Sequence, residues 1–250
     1  MSGTDYARYS RQVILREVGV HGQTLLRDSA ALVIGCGGLG CAAAPYLAGA
    51  GLGRLILVDD DVVDLSNLQR QTLYRQADIG RPKADVAATA LRALNPQVSI
   101  DAQVTRIDAQ TLPALLADVD VVLDCSDNFT IRYALNAACV AARRPLVSGA
   151  AIRFEGQLAV FDLRRGGPCY VCLYPQSDGE NTETCEEAGV LGPVVGVIGA
   201  QQALAALKLL LGLGGEAGVL QLWDALAGQW RRLQIPRDPG CPVCGTPDAR

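Results

Sequence analysis

The chain has 250 residues, half of them hydrophobic and 19% charged, which suffices for a full core and is ordinary for a packed soluble protein. A net charge of −4 and an aromatic content of 5% argue against a basic or base-stacking surface, so neither nucleic acid nor an anionic membrane is an expected partner. The opening MSGTDYARYSRQ has no apolar stretch and does not read as a signal peptide, and nine cysteines without one imply a reducing, cytoplasmic setting where thiols bind metal or catalyse rather than form disulfides.

Asp5 to Arg27 is expected to be helical, within an N-terminal arm spanning residues 1–29. Ala30–Ile34 is a short apolar strand, followed by GCGGLG and a helix-forming stretch rich in small residues, CAAAPYLAGAG. RLILVDD, residues 54–60, reads as the next strand and ends in acids. Lys83–Leu94 predicts a helix stopped by Asn95-Pro96, Val98–Val104 a strand, Val119–Leu123 a buried strand and Thr130–Ala142 a helix. PLVSGAA and GQLAVFDL supply further strands. Residues 174–189, polar and acidic, are expected to form a mobile loop.

Residues 190–212 are long and apolar enough to suggest a membrane span, but Gly192, Pro193, Gly196 and Gly199 interrupt them, and Gln201, Gln202 and Lys208 lie in their second half. A buried helix is the better reading. Strand and helix alternate at a pace that predicts an α/β fold, a Rossmann-like, mostly parallel sheet with helices on both faces. We read one domain over residues 1–250: the arm, a nucleotide-binding core over 30–165, and a C-terminal extension over 166–250 that carries a crossover loop, a helix, strands and cysteine knuckles.

Gly35, Gly37 and Gly40 form G-x-G-x-x-G directly after a strand, with Gly38 as an extra glycine. Such a turn lets backbone N–H groups and a helix N-terminus approach a phosphate, and Asp59 at the end of the next strand suits a ribose hydroxyl. NAD, FAD and ATP all satisfy this pattern. Asn67, Arg70 and Lys83 add donors beyond what a nicotinamide pyrophosphate needs, and Lys83 opens a helix, where a cation opposes the dipole and gains nothing structurally. DCSDN, residues 124–128, ends a strand on the same crevice. Asp127 there suits Mg²⁺, a hard cation that bridges carboxylates and phosphates, whereas Asp124 suits orienting a neighbour or capping the next helix.

CYVC and CPVC provide Cys169, Cys172, Cys241 and Cys244, the spacing of a closed, structural Cys₄ zinc site. Cys36, Cys41, Cys125 and Cys139 sit among apolar or small residues and read as buried packing groups. Cys185 lies in the acidic loop with Glu183, Glu186 and Glu187, which disfavour its thiolate. The only histidine, His21, reads as a loop or capping residue, so chemistry needing a histidine base is disfavoured. Attack by an already ionised carboxylate on the α-phosphate of ATP needs none.

RYSRQ, GCGGLG, LSNLQRQ, DCSDN, SGAAIRFEGQ, CYVC, AGVLGPVVGVIG and GCPVCG occur in this order over nearly the whole chain, and with them the sequence resembles the MoeB/ThiF/HesA family of ubiquitin-activating-like enzymes. The resemblance implies ATP- and Mg²⁺-dependent adenylation of the C-terminal glycine of a small ubiquitin-like sulfur carrier ending in Gly-Gly, with release of pyrophosphate and later formation of a thiocarboxylate. It implies nucleotide contacts at Gly38, Asp59, Ser66, Asn67, Leu68, Gln69, Arg70, Lys83 and Asn128, and a magnesium-binding aspartate at Asp127 beside that asparagine. Arg11 matches an arginine that reaches a neighbouring subunit's site, which implies a homodimer. Cys185 matches a loop cysteine that joins the carrier in some members.

The sequence ends six residues after Cys244, so no sulfur-donating rhodanese domain is expected, and a separate cysteine desulfurase or rhodanese is the expected donor. SGAAIRFEGQ resembles molybdopterin-pathway members, GVLGPVVGV thiazole-pathway members, and the balance leans to the former. The rival readings are activation of the thiazole carrier, a non-catalytic zinc scaffold for a ubiquitin-like partner, and a nicotinamide-dependent dehydrogenase. The last explains neither Lys83, Arg70 and Asp127 nor the knuckles.

Overall fold

Every residue of Ala30–Ile34 (β1) is buried, so both faces of this strand need a cover, and the chain places it between two parallel neighbours. A computed structural model describes residues 3–176, 188–214 and 217–245. Its sheet has eight strands in the order β3-β2-β1-β4-β5-β6-β7-β8. Arg54–Val58 (β2), Ser99–Gln103 (β3), Val121–Asp124 (β4) and Leu146–Ile152 (β5) run parallel with β1. Glu155–Phe161 (β6), Val219–Asp224 (β7) and Gln229–Gln234 (β8) extend the sheet antiparallel.

The two faces of β1 feed separate cores. Ala31 and Val33 pack with Leu26 of Gly19–Arg27 (α2), with Gly38–Gly49 (α3) and Lys83–Leu94 (α4), and with Gly192–Leu210. Ala30, Leu32 and Ile34 pack on the other side with Leu112–Leu116 (α5), Phe129–Ala142 (α6) and Tyr170–Leu173 (α7). The long apolar helix Gly192–Leu210 (α8) spans membrane length by composition, yet Val194, Val195, Ile198, Gly199 and Gln202 are buried against α3 and the strands. A Cβ at Gly199 would lie 2.5 Å from the Leu39 carbonyl, so the small residues of both helices permit a close crossing.

The N-terminal arm differs from the single helix expected. It is two helices, Gly3–Val13 (α1) and α2, because the chain turns over residues 14–18 and Gly19 adopts φ +59°. Side-chain amides hold the pair on the core: Gln12 Nε2 donates to Gln23 Oε1 at 2.9 Å, and Gln23 Nε2 to the Ala50 carbonyl at 2.9 Å. The buried Asn95 Nδ2 donates to Tyr9 Oη at 2.8 Å and to the Ala48 carbonyl at 2.7 Å, while the Tyr9 hydroxyl donates to Gln97 Oε1 at 3.0 Å. His21 lies exposed in the first turn of α2, neither in a loop nor capping a helix.

Tyr9→Phe strips the fully buried Asn95 of one partner and the exposed Gln97 of another. We expect it to destabilise the protein by about 1–3 kcal/mol in urea unfolding, with hydrogen exchange accelerated in α1 more than in α3.

Candidate active site

The chain starts in the middle of the sheet, moves outward to β3, and crosses back to β4, so the connections that follow β1 and β4 leave in opposite directions at their carboxyl ends. A cavity of about 920 Å³ opens there, lined by the ends of β1, β2 and β4. Gly35 continues β1 with φ +92°, and a Cβ on it would lie 2.7 Å from the Cys125 carbonyl. No other residue fits that turn. α3 then begins at Gly38 with Gly37 as its N-cap and no side chain capping it, which leaves its first N–H groups for a ligand. Gly38 faces Val195 of α8 so closely that a Cβ would come within 2.5 Å of Val195 Cγ1.

Asp59 accepts hydrogen bonds from the Cys36 N–H at 2.6 Å and the Asp61 N–H at 2.8 Å. Burial raises its pKa, and those two N–H groups pull it back. Each carboxylate oxygen keeps a further lone pair, so a ribose hydroxyl can still donate to it. Tyr74 braces the loop from below, its hydroxyl donating to the Cys36 carbonyl at 2.6 Å.

Ser66, Asn67, Arg70 and Lys83 all line the cavity. Asp64 caps the short turn Leu65–Asn67 by accepting from the Ser66 N–H at 2.8 Å, and Arg70 Nη1 donates to the Ser66 carbonyl at 3.1 Å. Lys83 corrects one expectation. It is buried, with Nζ 2.8 Å from Asp61 Oδ2, so it does have a structural partner despite opening a helix. That partner is 69% exposed, which weakens the pair and leaves the lysine a net cation at the cavity wall.

Asp127 and Asn128 line the opposite wall. Asn128, not Asp124 or Asp127, caps α6, its Oδ1 accepting from the Ile131 N–H at 2.9 Å. Asp127 is thereby left exposed to the cavity, while Asp124 is fully buried beneath it. Leu68, Gln69 and Gly40 do not line the cavity. Gly40 serves the turn instead, since a Cβ there would lie 2.0 Å from the Gly35 carbonyl. Arg11 is exposed on α1 and does not line the cavity of its own chain. Cys185 lies outside the described residues. Gln71, Arg106, Arg132, Tyr170 and Tyr174 also line the cavity and were not singled out from the sequence. Gln71, as the last residue of LSNLQRQ, and Tyr170, inside CYVC, carried a local signal.

Cys169, Cys172, Cys241 and Cys244 converge, with all four Sγ atoms within 4.8 Å of one another. Cys169 and Cys241 are 3.7 Å apart, Cys172 and Cys244 3.4 Å. Zinc–sulfur bonds of about 2.3 Å in a tetrahedron require sulfur–sulfur edges of about 3.8 Å, so the cluster fits zinc with no position left for water. Asn136 positions it, accepting from the Tyr170 N–H at 2.8 Å with Oδ1 and directing Nδ2 at Cys169 Sγ. Cys36, Cys41, Cys125 and Cys139 are buried as expected, and burial pushes the Cys41 thiol up to about 12 and raises the other three as well. They are packing groups, inert as nucleophiles.

A model of the ThiF family matches residues 9–243. The chain is 51% identical over 246 residues to the molybdopterin-synthase adenylyltransferase of Escherichia coli (strain K12), covering 98% of each. It is 49% identical over 249 residues to the sulfur carrier protein ThiS adenylyltransferase of the same organism, covering 100% of this chain and 99% of that one. Among solved structures, E. coli MccB superposes with a TM-score of 0.84 at 23% identity, over 97% of this chain and 73% of that one, a likeness of fold.

The cysteine geometry predicts about one zinc per chain by elemental analysis. Cys172→Ser or Cys244→Ser should lose the metal and lower Tm, and a strong chelator should do the same to the unmodified protein. A chain that retains full Tm without zinc would contradict a structural role.

Proposed function

As the chain belongs to the ThiF family, we propose that it adenylates the C-terminal glycine carboxylate of a small ubiquitin-like sulfur carrier. The observation that carries the reading is one cavity that joins the glycine loop and Asp59 to Arg70 and Lys83 on one wall and Asp127 on the other. Asp59 takes the ribose, the loop N–H groups and the cations take the phosphates, and the carrier's carboxylate enters from the Asp127 side. That carboxylate is ionised at neutral pH and attacks the α-phosphorus directly. The bond to the bridging oxygen breaks, and pyrophosphate leaves with the electron pair.

No general base is needed, which suits a chain whose single histidine is exposed on α2 and absent from the cavity lining. Positioning and neutralisation of charge supply the rate. Magnesium, held by Asp127 and the phosphates, would offset charge on the leaving group. Zinc on the four cysteines is structural. We assign Arg11 to a partner subunit's site in a homodimer, Cys185 to a later sulfur-transfer step, the sulfur itself to a separate donor, and the enzyme to the cytoplasm. The carrier is most simply the molybdopterin one. The thiazole carrier is the second reading, supported by the 49% identity to the ThiS adenylyltransferase.

The test is ATP–pyrophosphate exchange with each type of carrier in parallel. Exchange with one names the pathway, and exchange with both makes a shared activator. No exchange in zinc-loaded protein that binds ATP would favour a scaffold, and preference for NAD over ATP would favour a dehydrogenase. Asp127→Ala should lower exchange by about 10²–10³-fold with zinc content and dimerisation intact. Cys185→Ala should leave adenylation unchanged, so a loss there would reassign that cysteine to ATP binding or folding.

A further inference from the structure

Asp124 is 1% exposed, yet it is a carboxylate on a central strand, where an apolar residue would pack at no electrostatic cost. Its surroundings are built for it. Oδ1 accepts from the Ser126 N–H at 3.1 Å and the Ser126 hydroxyl at 2.6 Å, Oδ2 accepts from the Ser148 hydroxyl at 2.8 Å, and Arg132 Nε lies 4.0 Å from Oδ2. Arg132, itself buried on α6, sends Nη2 to the Ser126 carbonyl at 2.7 Å and to the Gly149 carbonyl at 3.1 Å. From α8, the buried Gln202 donates to the Asp124 carbonyl at 2.7 Å and passes so near Gly149 that a Cβ there would meet its amide at 2.4 Å. Residues of β4, β5, α6 and α8 thus converge on one short segment.

That segment is the peptide carrying Asp127. Asp124 grips Ser126 by its N–H and hydroxyl, and Arg132 grips the same residue by its carbonyl, so the bond leading into Asp127 is held from both sides. A fold that needed only β4 in place would not require a buried ion pair, which is at best neutral against an apolar substitute. What such a pair supplies is a single arrangement. We propose that Asp124 and Arg132, with Ser126, Ser148 and Gln202, form a positioning device that fixes where Asp127 meets the nucleotide's phosphates. This rests on the adenylation reading for its consequence, though not for the geometry it asserts.

The test uses the zinc-loaded full chain as Asp124→Asn, Ser148→Ala and Arg132→Lys. Ser148→Ala removes one hydroxyl and carries the test if Asp124→Asn does not fold. The first readout needs no substrate: amide hydrogen exchange at Cys125–Asn128 should accelerate in each variant while β1 stays protected. The second is exchange kinetics measured well below each Tm. There kcat should fall by about 10- to 100-fold, the Mg²⁺ concentration for half-maximal rate should rise, and KM for ATP should hold.

A lowered Tm with kcat, Mg²⁺ dependence and loop protection unchanged would reduce the network to fold stability and overturn the proposal. So would an Arg132→Lys effect confined to KM for the carrier with the loop still protected, which would make Arg132 a direct contact. If the unmodified protein exchanges with no carrier, the adenylation reading fails by itself. Loop protection then still decides the device, faster exchange supporting it and unchanged exchange overturning it.

Discussion

The parallel pairing of β1 with β4 is the constraint from which the site follows. Because the chain begins at the sheet's centre and returns to the other side of its first strand, connections leave β1 and β4 in opposite directions and cannot fill the space between them. The ladder runs on past the strand ends, with the Cys125 N–H donating to the Ile34 carbonyl at 2.8 Å and the Gly35 N–H to the Val58 carbonyl at 2.9 Å. Backbone bonds thus anchor the strand ends from which the glycine loop, Asp59 and the Asp127 segment extend. A site whose parts come from three adjacent strand ends inherits the rigidity of the sheet.

Charges of both signs line the crevice, Asp59 with Lys83 toward β2 and Arg132 with Asp127 toward β4 and α6. Lys83 and Arg70 follow β2 in the chain and Asp127 follows β4, and the apolar Ile34, Val58 and Val195 line the same cavity. The cations are held by weak acceptors: an exposed carboxylate for Lys83 and a backbone carbonyl for Arg70. A polyphosphate would displace the Ser66 carbonyl from Arg70, since a charge-assisted bond is stronger than one to a neutral carbonyl, and would compete with Asp61 for Lys83 because that carboxylate is exposed to solvent. Asp127 is left in the opposite condition, without cation among its described hydrogen-bond and ion-pair partners, because Asn128 takes the capping duty next to it.

Much of this was legible in the sequence, for reasons that differ by residue. Helix α4 runs from Lys83 to Leu94 as its periodicity and Asn95-Pro96 require, and the knuckle cysteines meet because a C-x₂-C pair carries its geometry in its spacing. GCGGLG was readable because only glycine survives the approach of Cys125 and Val195. What escaped depended on distant chain. Lys83 finds Asp61 twenty-two residues away, and Arg132 reaches the Gly149 carbonyl seventeen residues on. The break between α1 and α2 falls at Gly19 without a proline, and the pair is held by amide bonds to the distant Ala50 carbonyl, so the helical pattern ran straight through it. The division of duty within DCSDN also turns on three dimensions, since Asp, Ser and Asn are all good caps.

The four-cysteine cluster borders the crevice through Tyr170, which lies between Cys169 and Cys172 and lines it. Cys169 and Cys241 are 72 residues apart, and the enclosed segment contains α8, β7 and β8. A cross-link over a loop of that length removes about 4 kcal/mol of unfolded-chain entropy on the loop-closure model, a substantial share of a domain's net stability. α8 is the element that benefits closest to the chemistry, for it presses Val195 on Gly38 and passes Gln202 to the strand end beneath Asp127. β8 is exposed along its length and contributes little burial of its own, so packing alone would hold the end of this segment weakly. Metal bound by the four cysteines would supply there what the edge of the sheet does not.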